Sequence, residues 1–178
     1  MATPALAFAQ LANDCEVDGL SIENADRIAQ ELAKTFNVHG DEVAILRLDK
    51  TNLRFVYPSK LAHVGSIPLN TTTSVAARTA TTKRAEAINN FAQTKHASIF
   101  EAVELGQKAQ HIAGQKDEKH TNPIQKLMTV PVVAANGVLG VIQICRKGKS
   151  APEAGADFSP PDLQRLVAIA TALAKCFK

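Results

Sequence analysis

The 178-residue chain has no tryptophan, one tyrosine and seven phenylalanines. Its core must therefore be aliphatic, and a nucleic-acid surface of interleaved aromatic and basic side chains is excluded. Charge of one sign is scarce as well. Twenty lysines and arginines face 17 acids, a formal +3 with no basic run, which argues against nucleic acid and against an anionic membrane surface. The three cysteines, Cys15, Cys145 and Cys176, lie far apart and form no Cys-x-x-Cys pair. A disulfide framework is not expected, and a reducing, cytoplasmic setting fits. The five histidines show neither HxxxH nor HExxH spacing, so neither a metal site nor a cofactor is expected. The N-terminus lacks a basic region ahead of its short apolar run, which argues against a secretory signal, and no run is long enough to cross a bilayer.

Apolar residues make up 46% of the chain, enough for a sizeable core. Thr3 and Pro4 are placed as cap and first residue of a helix running to about Asn13, so residues 1–20 read as a helical extension. The main domain is then 21–178. Ala25, Ile28, Ala29, Leu32, Ala33 and Phe36 repeat at helical spacing, with Ser21 or Asn24 at the start and Gly40 suited to a left-handed cap. Residues 42–49 and 53–58 read as a hairpin over a Lys50-Thr51-Asn52 turn, and 61–69 as a short edge strand. Residues 124–135 and 138–146 are strong strands, and Asn136-Gly137 between them predicts a type I′ turn. Ser159 and Pro160 then open an amphipathic helix whose stripe runs from Leu163 to Phe177.

Two stretches are of different character. Residues 70–90 are rich in Thr, Ala and Ser, and Val75, Ala76, Thr79 and Ala87 fall along one helical face. The spacing predicts a helix over 73–81, with hydroxyls available to a ligand or to capping. Residues 104–122 have no hydrophobic period after Ile112 and read as a helix end followed by a long loop, the kind of segment that serves as a binding lid. Helix, hairpin, helix, loop, hairpin, helix is an α+β order: an antiparallel sheet of about five or six strands, with the N- and C-terminal helices packed on one face.

The segments LMTVPVVAANGVLGVIQICRKG and FSPPDLQRLVAIATALA resemble the C-terminal half of a GAF domain. There a valine-proline hairpin precedes a helix opening Phe-Ser/Thr-x-x-Asp. The likeness spans about residues 20–178, and its motifs lie in 127–177. GAF domains of cyclic-nucleotide phosphodiesterases carry an Asn-Lys…Phe-x-x-x-Asp-Glu pattern. Lys147, Phe158 and Asp162 match it, while Arg146 stands for the Asn and Leu163 for the Glu. The resemblance implies a clasp in which Lys147, ending the last strand, meets Asp162 in the first turn of the last helix.

From the same resemblance comes the functional expectation. It is a non-enzymatic sensory or regulatory domain that binds a small molecule and signals through its terminal helices to a partner protein. A homodimer is expected through helices 24–37 and 160–177, motivated by Ile169 and Leu173 as spare apolar surface. The alternative is a scaffold with a vestigial pocket. Free-methionine-sulfoxide reductases are GAF enzymes of similar size that use cysteines between the two hairpins. Residues 70–123 contain none, which argues against that chemistry. Where GAF domains hold ligands, this chain offers Arg54, Tyr57, Thr72, Thr73, Ser74, Asn89, Asn90 and His96. The backbone N–H groups of 73–76 are suited to an anion or carbonyl.

Overall fold

A computed structural model describes residues 4–63, 65–93 and 122–178. Thr3, His96 and most of the expected lid at 104–122 lie outside the described residues. Six antiparallel strands form one sheet: β1 (Val43–Asp49), β2 (Asn52–Tyr57), β3 (Ser66–Pro68), β4 (Glu86–Ile88), β5 (Ile124–Ala134) and β6 (Gly137–Lys147). Their order across the sheet is β3-β2-β1-β6-β5-β4. The helices are α1 (Pro4–Cys15), α2 (Ile22–Phe36), α3 (Val75–Thr82), the single turn α4 (Ala151–Ala154) and α5 (Pro160–Leu173).

Alternation along the strands divides the interior in two. Val43, Ile45, Met128, Val130, Ile142 and Ile144 face α1, α2 and α5. Ala44, Leu46, Phe55, Leu127, Val141 and Cys145 face α3. Both sides of β5 and β6 are therefore covered, which explains why their sequences are near-continuous apolar runs. Burying each of these aliphatic side chains contributes roughly 1.5–3 kcal/mol. The N-terminal helix is part of this core: Phe8, Ala12 and Cys15 are fully buried, in one cluster with α5. The terminal helices thus share one face of the sheet, as the sequence led us to expect.

Several local expectations are corrected. Ser21 caps α2 by accepting from the Asn24 N–H at 3.1 Å, but the left-handed cap is Asn37, at φ 53°, three residues before Gly40. Asparagine tolerates that conformation, so the helix stops where its apolar stripe stops. The Asn136-Gly137 turn is not type I′. Only Gly137 takes a positive φ, 128°, and Ala134 pairs with Gly137, above a register shift at Val132/Val133. The helix over the Thr-rich segment ends at Lys83 in the left-handed region. Ala87, beyond that helix, belongs to β4 and pairs with Met128. The last turn of the C-terminal helix tightens to a 3-10 helix over Ala174–Phe177.

Candidate functional site

Three buried polar side chains meet between α3 and the mostly apolar sheet face it covers. Thr79 of α3, Thr129 of β5 and Gln143 of β6 are all buried there, and β5 and β6 pair Thr129 with Gln143. Their hydrogen bonds run in a fixed order. Thr79 Oγ1 donates its single proton to the Val75 carbonyl at 2.8 Å. The 2.9 Å contact between the two threonine hydroxyls therefore has Thr129 as donor. Thr129 Oγ1 in turn accepts from Gln143 Nε2 at 3.3 Å. The result is a polar relay from the middle of the sheet to the first turn of α3. Among the described residues the Gln143 carbonyl oxygen has no partner.

The end of β6 on the same face carries charge. Alternation places Lys147 with Cys145 and Gln143, and Lys147 is buried. Glu42 is buried beside it: one carboxylate oxygen accepts from the His39 N–H at 2.9 Å, the other from the Lys147 N–H at 2.6 Å. Neighbouring Asp41 has a buried Oδ2 with no hydrogen-bond partner among the described residues. Burial pushes its carboxyl above the usual range, and Lys147 pulls the other way.

The opposite side of the strand end anchors helices. Arg146 donates to the carbonyls of Phe36 and Asn37, at 3.2 and 3.4 Å, closing the C-terminus of α2. Its guanidinium lies 4.8 Å from the centroid of the Phe158 ring, a cation–π contact. Cross-strand from it, Lys126 donates to the Gly155 carbonyl and pairs with Asp157 at 2.8 Å. A cationic strand end thus precedes the Phe-Ser-Pro-Pro-Asp helix start because it holds the loop leading into that helix.

The expected ligand residues are not gathered at one place. Arg54 faces the α2 side and pairs with Asp49 at 3.2 Å. Tyr57 packs against the α1–α2–α5 core and donates to the Gly40 carbonyl at 3.0 Å. Thr72 and Thr73 are exposed ahead of α3. Ser74 is buried and caps α3, accepting from the Ala77 N–H at 3.2 Å. Asn89 is bound to the backbone of Phe158, and Asn90 beside it is exposed. In the expected clasp, Asp162 caps its own helix with Ser159, the N–H of each meeting the side chain of the other. Its cationic neighbours are Arg165, at 4.0 Å, and Arg146.

The fold matches what the last two strands and the last helix resemble. The GAF domain profile covers residues 22–177. The chain belongs to the GAF domain family. It is similar to the GAF domain of the Acinetobacter phosphoenolpyruvate-protein phosphotransferase, at 15% identity and TM-score 0.64 over 99% of this chain and 94% of that one. The corresponding domain of the Coxiella burnetii enzyme has 12% identity and TM-score 0.64, over 96% of this chain and 90% of that one. A free methionine-R-sulfoxide reductase from Neisseria meningitidis, solved with its substrate, has 16% identity and TM-score 0.55, over 99% and 92%. At such identities the likeness is one of fold, and this GAF fold carries both regulatory domains and enzymes. No curated protein matches the chain.

All three cysteines of this GAF domain are buried thiols. Burial, with Cys15 nearby, pushes the Cys176 thiol up to about 11, and burial raises Cys15 as well. Cys145 stands on the α3 side of β6, beneath the helix. Among the described residues no three His, Cys, Asp or Glu side chains are grouped to hold a metal ion, and no helix is long and apolar enough to cross a membrane.

Proposed function

We propose that this GAF domain is a non-enzymatic regulatory module that binds a small molecule between the sheet and α3. The relay from Gln143 through Thr129 and Thr79 to the Val75 carbonyl carries this reading. A mostly apolar face with a few convergent polar groups is the usual make-up of a ligand site. The Gln143 carbonyl, without a partner among the described residues, supplies an acceptor for a ligand hydroxyl, amide or ammonium. A ligand that turns Gln143 away from Thr129 weakens the attachment of α3, which is the movable element.

The cysteines support the non-enzymatic half. Sulfoxide reduction by a thiol needs an accessible thiolate of lowered pKa, and this chain's thiols are buried, with Cys15 and Cys176 raised. The output would pass to a partner protein through the terminal helices. Ile169 and Leu173 are fully buried within the single chain, so a homodimer would use Leu6 and Val167, which α1 and α5 leave exposed.

The test is native mass spectrometry of the freshly purified protein beside Gln143→Leu. A co-purified small molecule in the wild type and its loss from a folded Gln143→Leu variant is the expected result. Equal occupancy in both would refute the role of Gln143. Turnover of free methionine sulfoxide that disappears on replacing the three cysteines would refute the non-enzymatic reading. Because each hydroxyl of the relay already has a partner, a scaffold with a vestigial pocket is the second reading. An empty wild type with unchanged α3 dynamics would favour it.

A further inference from the structure

A groove lies between the β1–β2 hairpin and the N-terminus of α2, on the side of the sheet away from α3. Cross-strand register sets Arg47 directly opposite Arg54, so both guanidiniums project from one side of the hairpin. Like charges in that arrangement repel. Asp49 answers Arg54 at 3.2 Å, whereas Arg47 has no acceptor among the described residues. Among the described residues Asp49 is the one carboxylate lining a cavity of about 410 Å³. Ile22, Val56 and Ala62 give the same cavity an apolar wall. Ile22 is 67% exposed in the first turn of α2, whose positive end is shared by Glu23 of the same turn.

We propose that this groove binds a small organic oxyanion, a carboxylate or phosphate on a short aliphatic body. Arg47 and Arg54 hold its oxygens, and Ile22 and Val56 cover its chain. Two guanidiniums on one side present parallel N–H donors that suit a planar carboxylate or a phosphate. The volume falls within the ligand-site range of roughly 300–1,000 Å³. Unlike the α3 face, whose polar groups are neutral at the relay, this groove selects for charge. It uses none of the relay residues.

The experiment titrates the whole chain with hexanoate, hexyl phosphate or hexan-1-ol. It follows the Nε–Hε resonances of Arg47 and Arg54 and the backbone amides of Ile22 and Glu23. Saturable shifts with hexanoate or hexyl phosphate, and none with hexan-1-ol, are expected. Arg47→Gln with Arg54→Gln should weaken binding at least about tenfold, while Arg165→Gln and Gln143→Leu leave it unchanged. The proposal is overturned if neither anion moves these resonances, if hexan-1-ol moves them equally, or if the double variant binds as the wild type does. Should the double variant not fold, the wild-type titration decides alone. Retained binding in Gln143→Leu separates this site from the one beneath α3.

Discussion

The side-chain amide of Asn89 holds the backbone of Phe158 from both sides. Its Oδ1 accepts from the Phe158 N–H at 2.8 Å, and its Nδ2 donates to the Phe158 carbonyl at 3.1 Å. The end of β4 is thereby tied to the loop entering α5, across 69 residues of sequence. Asn89→Ala leaves two part-buried backbone groups without partners and should cost about 1–3 kcal/mol in urea unfolding. Asn89→Asp keeps the acceptor and loses the donor, so its midpoint should fall between wild type and alanine. A midpoint for Asn89→Ala within error of wild type would remove the tie from any account of stability.

Gly140 is a position where the sheet and the C-terminus meet too closely for a side chain. A Cβ there would stand 2.2 Å from the Leu46 carbonyl oxygen and 2.8 Å from Cε2 of Phe177. Gly140→Ala must push β6 from β1, at a cost of about 1–3 kcal/mol or more. Adding Phe177→Ala relieves the ring contact and leaves the carbonyl contact, so the double variant should stay well below wild type in thermal melting. Full recovery in the double variant would show the ring to be the sole obstacle.

Two carboxyls should give opposite slopes of stability against pH. Asp162 is held below the usual carboxylate range, first by the Ser159 N–H and then by the Ser159 hydroxyl, Arg165 and Arg146, with desolvation opposing. A depressed carboxyl contributes stability above its unfolded pKa and loses it as pH falls through the folded value. Asp162→Asn should therefore flatten the acid limb of the stability curve. Asp41 is raised by burial, so its folded form holds a proton over a window where the unfolded form has lost it. Stability then falls as pH rises through that window, and Asp41→Asn should remove the fall. Chemical denaturation at stepped acidic pH reads both, and a curve for either variant parallel to that of the wild type would contradict the slope expected of that carboxyl.

The three thiols should resist alkylation in the native state. With all of them buried and Cys176 near 11, iodoacetamide should label the folded protein far more slowly than the urea-unfolded one, Cys176 included. Mass spectrometry with peptide mapping resolves the sites. Fast native labelling at any of them would reopen thiol chemistry.

What the sequence made legible was what repeats. The stripes of α2 and α5 and the apolar runs of β5 and β6 are long enough for their periods to stand out, and they fix the two-sided sheet. β4 is three residues with no alternation, and it exists because Leu127–Thr129 offers a paired edge, a tertiary cause that no local pattern records. The hydroxyl-rich segment drew attention to Thr72, Thr73 and Ser74. Yet the relay runs through Thr79 and through two polar residues, Thr129 and Gln143, set singly inside apolar strands. That signal was present in MTVPV and VIQIC, and it marked the site better than hydroxyl abundance did. Arg54 and Tyr57 were legible as strand residues, but the bulge at Ile45/Leu46 shifts facing in a way that counting by twos cannot follow.

Arg146 and Lys147 are neighbours in sequence that serve opposite sides of the sheet, one closing the end of α2, the other lying beneath the α3 side beside Asp41 and Glu42. One residue deleted upstream in β6 would carry Lys147 to the place of Arg146 and leave Gly148 in the place of Lys147. An ammonium would then stand where a flat guanidinium spans two carbonyls and covers a ring, and the α3 side would lose its cation. The strand end thus tolerates no slippage, and β6 is the part of this chain in which insertions and deletions should be least survivable.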